Sequence, residues 1–298
     1  MCIGFIGLGR MGLPMCANLA AAGYTVIAGD ARAELRDAVL ECGAIWDGKL
    51  TELAARADIL ITMLPGPAAV TDVMSGSGVL AALPSTATWI DMTSNSPDAA
   101  RPLAAAAHAR GIGVLDAPVG GGVPAARAGQ LQLFVGGSSD LLDQCRPVLE
   151  VLAEPQHITH TGANGSGYLT KLLVNLLWFG HAVATAEALL LARRSGIDLD
   201  VLHQALAASA GSSAFVVSNL SSLLDGDYLA SFELDRCCEE LAAVTALARD
   251  LNMPSELMQQ VEKTYQRALR RYGSVDGELL AIALLEEEAG ILLRHLPG

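Results

Sequence analysis

A strand, a glycine loop and a helix open this chain at a spacing that few folds accommodate. Residues 2–6 are a short apolar run, Gly7-Leu8-Gly9-Arg10-Met11-Gly12 follows at once, and residues 11–22 continue as a predicted helix closed by Gly23. In such a loop the first glycine permits a tight turn and the second lets backbone N–H groups approach a pyrophosphate. The third lets the helix pack closely on the strand. The helix N-terminus then turns its partial positive charge toward the anion. A second strand, over residues 24–28, leads to Asp30, about twenty residues after the loop, where a carboxylate receives hydrogen bonds from ribose hydroxyls. Together these features predict a dinucleotide site built from Gly7, Leu8, Gly9, Arg10, Met11, Gly12 and Asp30. Asp30 repels a 2′-phosphate and favours NAD, whereas the guanidinium of Arg32 could pair with that phosphate and leaves NADP open.

Further strands are predicted over 59–64, stopped by Pro65 and Pro67, and over 89–92, 113–115 and 131–135. Helices over 34–41 and 99–109 alternate with them, the pattern of a doubly wound sheet. After Gly162 the strands thin out and Leu/Ala-rich helical stretches take over. One helix over 166–195 would run about 45 Å at about 1.5 Å per residue, a rod suited to connecting two halves. The expected fold is therefore α/β: an N-terminal Rossmann domain over 1–162, then an all-helical C-terminal domain over 163–298 entered by that helix.

Composition removes several function classes. Net charge is −13, there is no basic stripe, and aromatic residues make up 4%, so neither a phosphate-tracking groove nor a base-stacking platform is evident, and no nucleic acid is expected. The 52% hydrophobic content and mean hydropathy of +0.39 point to buried contacts between subunits. The six cysteines contain no C-x-x-C pair, which suits free thiols in a reducing cytoplasm, and no metal is expected. The apolar stretch 172–192 carries Asn175, His181 and Glu187, costly groups in hydrocarbon, so a buried helix is expected there rather than a membrane span. The N-terminus has neither the basic region nor the apolar core of a signal peptide.

Two further segments carry chemistry. Asp116-Ala117-Pro118-Val119-Gly120-Gly121-Gly122 follows a strand, and consecutive glycines can close their N–H groups on a carboxylate as a concave nest. Lys171 and Asn175, spaced i, i+4, share one face of the long helix. An apolar helix lowers a lysine's pKa, which suits proton transfer near neutrality, and the asparagine amide can hold the lysine or a substrate hydroxyl.

With these residues in view the chain resembles the β-hydroxyacid dehydrogenase family. The motifs are G-F-I-G-L-G-R-M-G, M-L-P at Met63 to Pro65, D-M-T-S-N-S-P from Asp91, D-A-P-V-G-G-G-V-P-A-A-R-A-G, and the G-x-x-G-x-G…K-x-x-x-N helix. The resemblance implies hydride transfer between NAD or NADP and a small anionic substrate, a 3-hydroxy acid or its semialdehyde, in a homodimer or homotetramer built through the helical half. It implies Lys171 as general acid/base with Asn175 as its positioning partner. Leu64, Pro65 and Ser94 would lie on the nicotinamide side of the cofactor, which Met63 would also help bind. Gly121 and Gly122 would take the substrate carboxylate, with Gly120 beside them in the substrate site.

Three positions depart from the family pattern. Gly120 stands for a serine, Val174-Asn175 for paired asparagines, and Glu239-Glu240-Leu241 for K-D-L, with Arg236 one turn earlier as a replacement cation. A decarboxylating 6-phosphogluconate dehydrogenase is disfavoured because Trp178 occupies the position of that family's glutamate. The departures keep two alternatives open: an imine reductase-like enzyme, against which Lys171 argues, and a dinucleotide-binding protein without turnover.

Overall fold

The computed structural model describes residues 1–230 and 232–295. The chain forms two compact units, Met1–Lys171 and Leu172–Gly298.

The first unit is a nine-stranded sheet. Its elements are β1 (Cys2–Ile6), α1 (Gly12–Ala21), β2 (Thr25–Gly29), β3 (Ile45–Trp46), β4 (Ile59–Thr62) and β5 (Thr88–Asp91). They continue with α2 (Pro97–His108), β6 (Gly113–Asp116), β7 (Val119–Gly120), α3 (Gly122–Ala128), β8 (Gln132–Gly136), α4 (Ser139–Leu149) and β9 (Ile158–Gly162). Strands run in the order β3-β2-β1-β4-β5-β6-β8-β7, and β9 pairs with β8. From β3 to β6 every pairing is parallel; β8 meets β6 and β7 antiparallel. The first six strands thus have the order of a dinucleotide-binding sheet, with the reversal between β1 and β4.

Alternation along the strands explains the two cores. Ile59 and Ile61 of β4 join Phe5, Met15 and Ile90 on one face, while Leu60 joins Trp89, Leu53 and Met74 on the other. A parallel sheet must be covered on both faces, and short helical segments within 33–54 and 67–82 supply part of that cover. Sequence patterning missed β3, β7 and β9. The first two have two residues each, and β9 carries Thr159, His160 and Thr161 rather than an apolar run. The strand expected over 59–64 stops at Thr62, because Met63 and Leu64 leave the sheet to pack beside Gly7.

A 29-residue helix, α5 (Ser166–Arg194), begins in the first unit and continues through the second. In the second unit it is followed by three shorter helices and then α6 (Leu234–Asp250), α7 (Glu256–Tyr272) and α8 (Leu280–Ala289). Leu172, Leu176, Phe179 and Val183 form a buried stripe at helical spacing with Cys237, Leu241, Val261 and Tyr265. Ala186 and Leu189 extend it against Phe215 and Leu220. The expectation of a buried helix holds for this face only. Leu173, Val174, Leu177 and Leu191 are exposed, at 59% and 69% for the last two. By length and composition α5 is also apolar enough to cross a membrane.

Candidate active site

Steric necessity fixes two of the three loop glycines. Gly7 has φ of +100°, and a Cβ there would lie 2.2 Å from the Met63 carbonyl oxygen. A Cβ on Gly12 would lie 1.9 Å from the Gly7 carbonyl oxygen. Gly9 is different: the nearest group to its missing side chain is the Arg32 guanidinium, 3.9 Å away. The loop is therefore closed on its inner side and open where a pyrophosphate would approach, and among the described residues the N-cap of α1, Met11, makes no side-chain capping bond. Arg10 is exposed and Met11 half-buried, whereas the Leu8 side chain is in the core, so Leu8 can serve a ligand only through its backbone.

The loops after β1, β4 and β5 converge where the strand order reverses. Met63 N–H donates to the Ile6 carbonyl at 2.9 Å, and Leu64 N–H donates to Thr93 Oγ1 at 3.0 Å, next to Ser94. Pro65 is exposed at the same strand end. Open parallel sheets bind ligands in this crevice. These residues fit a nicotinamide dinucleotide.

Asp30 holds the loop and a neighbouring cation together. Its Oδ2 accepts from Leu8 N–H at 2.7 Å, and Arg32 donates from its backbone and from Nε, both at 3.0 Å, to Oδ1. Burial pushes the Asp30 carboxyl up, but the bonds from Arg32 and Leu8 outweigh it and hold the group below the usual carboxylate range. The carboxylate expected to meet a ribose is thus already paired with the guanidinium expected to meet a 2′-phosphate.

Two buried aspartates seat the start of α5. Asp91, at the end of β5, accepts from Thr62 Oγ1 at 2.8 Å and from the Tyr168 hydroxyl at 2.7 Å. Trp89 Nε1–H in turn donates to Thr62 Oγ1 at 2.9 Å. Burial raises the Asp91 pKa; its bonds with Thr93, Tyr168 and Thr62 oppose that. Asp116, at the end of β6, accepts from Gly165 N–H at 2.8 Å, Gly167 N–H at 2.9 Å and Tyr168 N–H at 3.2 Å. A Cβ on Gly167 would lie 2.2 Å from the Phe134 carbonyl, which explains the third glycine of G-x-x-G-x-G. The motifs containing Asp91, Asp116 and Tyr168 were visible in the sequence. Their mutual contact was not, since Tyr168 and Asp91 are 77 residues apart.

Lys171 follows one turn after Tyr168, half-buried, and Asn175 follows on the same helical face. Asn175 Nδ2–H donates to Glu240 of α6, a residue 7% exposed that sequence reading left without a role. Arg236, offered above as a substitute cation, is ion-paired with Glu239 at 2.5 Å. The glycine cluster is more ordered than a free nest: Gly120 ends β7, and Gly121 with φ of +102° caps α3. Gln132 pairs with Gly120 across the strands, and its Oε1 lies 3.0 Å from where a Cβ on Gly120 would stand. Among the described residues, no group of three His, Cys, Asp or Glu side chains could hold a metal.

Comparison with known proteins gives the same fold and a family. Residues 2–162 match the family described as the NAD binding domain of 6-phosphogluconate dehydrogenase. Residues 165–285 match that described as the NAD-binding domain of NADP-dependent 3-hydroxyisobutyrate dehydrogenase. The chain is 35% identical to 2-(hydroxymethyl)glutarate dehydrogenase of Eubacterium barkeri, over 85% of this chain and 84% of that protein. It is 38% identical to 3-hydroxyisobutyrate dehydrogenase of Pseudomonas aeruginosa, over 70% of each. The structure of Mycobacterium tuberculosis 3-hydroxyisobutyrate dehydrogenase with L-serine superposes with a TM-score of 0.86 at 30% identity, covering 95% of this chain and 98% of that one.

Proposed function

The chain belongs to the β-hydroxyacid dehydrogenase family of NAD(P)-dependent oxidoreductases, and on that premise we propose that it interconverts a small 3-hydroxy acid and its semialdehyde. The molecules named for its relatives share one skeleton. 3-Hydroxyisobutyrate, 2-(hydroxymethyl)glutarate and L-serine all carry CH2OH and a carboxylate on one carbon, and they differ in that carbon's third substituent. The proposed substrate is therefore a 2-substituted 3-hydroxypropanoate.

The nicotinamide ring, when bound, supplies or accepts the hydride. The loop from Gly7 to Gly12 holds the pyrophosphate, through Gly9, Arg10, Met11 and Gly12, while Gly7 and Leu8 fix the turn. Asp30 and Arg32 hold the adenosine ribose, and Met63, Leu64, Pro65 and Ser94 the nicotinamide side. Backbone N–H groups at Gly120, Gly121 and Gly122 take the substrate carboxylate. Lys171 donates a proton to the carbonyl oxygen as it is reduced and, as the neutral amine, removes the hydroxyl proton in the oxidative direction. Asn175 positions the reacting oxygen. Residues 1–162 act as the dinucleotide-binding domain, and residues 163–298 serve substrate binding and assembly.

The observation that carries this reading is the anchoring of the Lys171 helix by Asp91 and Asp116. These lie at carboxyl ends of the same sheet whose first loop has the open Gly9. The exposed apolar residues Leu173, Val174, Leu177 and Leu191 support burial of α5 in a homodimer or homotetramer. The six free cysteines suit the cytoplasm. Nicotinamide absorbance with NAD and NADP, across 3-hydroxyisobutyrate, L-serine, 2-(hydroxymethyl)glutarate and cyclic imines, tests the proposal. Oxidation of one hydroxy acid is expected; reduction of imines alone would overturn it.

A further inference from the structure

Glu240 is buried, charged and only half satisfied. One carboxylate oxygen, Oε2, accepts from Asn175 Nδ2–H, and the other, Oε1, is buried without a hydrogen-bond partner among the described residues. On α6 the buried apolar residues Cys237, Leu241 and Val244 stand three before, one after and four after it, and a carboxylate buried on such a helix costs more than an apolar side chain would. A leucine or methionine of similar volume would fill the same space without an unpaired oxygen. The charge calls for another explanation.

The two ends of an asparagine amide differ, one donating and the other accepting. A carboxylate only accepts. Beneath Asn175, Glu240 therefore admits one rotamer of the amide: Nδ2 toward the carboxylate and Oδ1 turned away from it. The outward group is then an acceptor, on the face that Asn175 shares with Lys171. An acceptor there can take an N–H hydrogen of Lys171 and leave the amine's lone pair for the hydroxyl proton that it removes. The flipped amide would present hydrogens instead, and these would compete for the amine lone pair that must receive the hydroxyl proton.

We propose that Glu240 is a positioning residue that fixes the side-chain amide of Asn175 with Oδ1 outward, and that it acts on the reaction only through Asn175. The proposal rests on the dehydrogenase reading above. The isosteric change Glu240→Gln tests it, because glutamine can either donate or accept and so releases the lock. In the full-length enzyme with its active hydroxy acid, Glu240→Gln is expected to lower kcat by up to about 10²-fold, the scale on which misplacement acts, with KM for the cofactor unchanged. Glu240→Asp, which keeps the carboxylate, should recover part of that loss. In an Asn175→Ala background Glu240→Gln should cause no further fall in kcat. Wild-type kcat in Glu240→Gln, or losses that multiply in the double variant, would overturn the proposal alone. Should Glu240→Gln not fold, Glu240→Asp and its double variant with Asn175→Ala carry the same test of non-additivity. If the wild-type enzyme binds NADH yet turns over no hydroxy acid, the dehydrogenase reading fails, and this proposal with it.

Discussion

The hydroxyl of Tyr168 donates to Oδ2 of Asp91 at 2.7 Å, joining the first turn of α5 to the carboxyl end of β5 with both side chains buried. One turn further along that helix is Lys171. The bond thus links the sheet that carries the glycine loop to the base of the proposed proton-transfer residue. Tyr168→Phe keeps the ring and removes the link. It should lower the free energy of unfolding by about 1–3 kcal/mol, the scale for leaving a buried acceptor without its donor, read as a shifted denaturant midpoint. An unchanged midpoint would show that the bond contributes nothing.

The loop glycines separate a structural from a binding requirement. Gly12→Ala forces a methyl group against the Gly7 carbonyl and should destabilise the protein by about 1–3 kcal/mol or more while abolishing cofactor binding. Gly9→Ala meets only the end of Arg32, so it should fold with an unchanged melting temperature and still bind NADH more weakly. Differential scanning calorimetry and fluorescence titration distinguish the two outcomes.

Much of this loop was legible in the sequence, because strand, turn and helix constrain one another over a few residues. Lys171 and Asn175 were legible for the same reason, by their spacing on one helix. The contacts that Asp91, Asp116 and Glu240 make with α5 were not. Their partners on that helix lie 51 to 77 residues away, and no local pattern encodes which strand end meets which helix turn. Strand β9 escaped because pairing with β8, not an apolar run, holds its polar Thr159–Thr161 stretch in the sheet. The one-sided exposure of α5 was hidden because leucine, valine and alanine occupy both of its faces.

Asp30 gives a pH dependence with a definite sign. Its folded carboxyl titrates below the ordinary value, so its contribution is present above the unfolded pKa and lost as pH falls through the folded one. Arg32→Ala removes the fork while burial remains, and the carboxyl pKa should rise. The carboxyl resonance of Asp30 should then titrate at higher pH, and acid unfolding should begin at higher pH. If NADP is the cofactor, the same change should raise KM for NADPH more than for NADH.

Gly120 and Gln132 form a pair that can be exchanged for a serine site. Gly120→Ser presses on the movable end of Gln132 rather than on backbone, so the melting temperature should change little. If the glycine cluster takes the substrate carboxylate, KM for the hydroxy acid should shift while KM for the cofactor stays constant. Equal shifts in both would place the cluster elsewhere in the reaction.

The role of Lys171 is tested most directly by the rate of hydride transfer in Lys171→Ala, measured in single turnovers with saturating cofactor and the active hydroxy acid. The expected result is a rate lower by about 10²–10⁴-fold, the contribution of a positioned general acid/base, with cofactor affinity and melting temperature at wild-type values. A variant that transfers hydride at the wild-type rate would contradict the assignment.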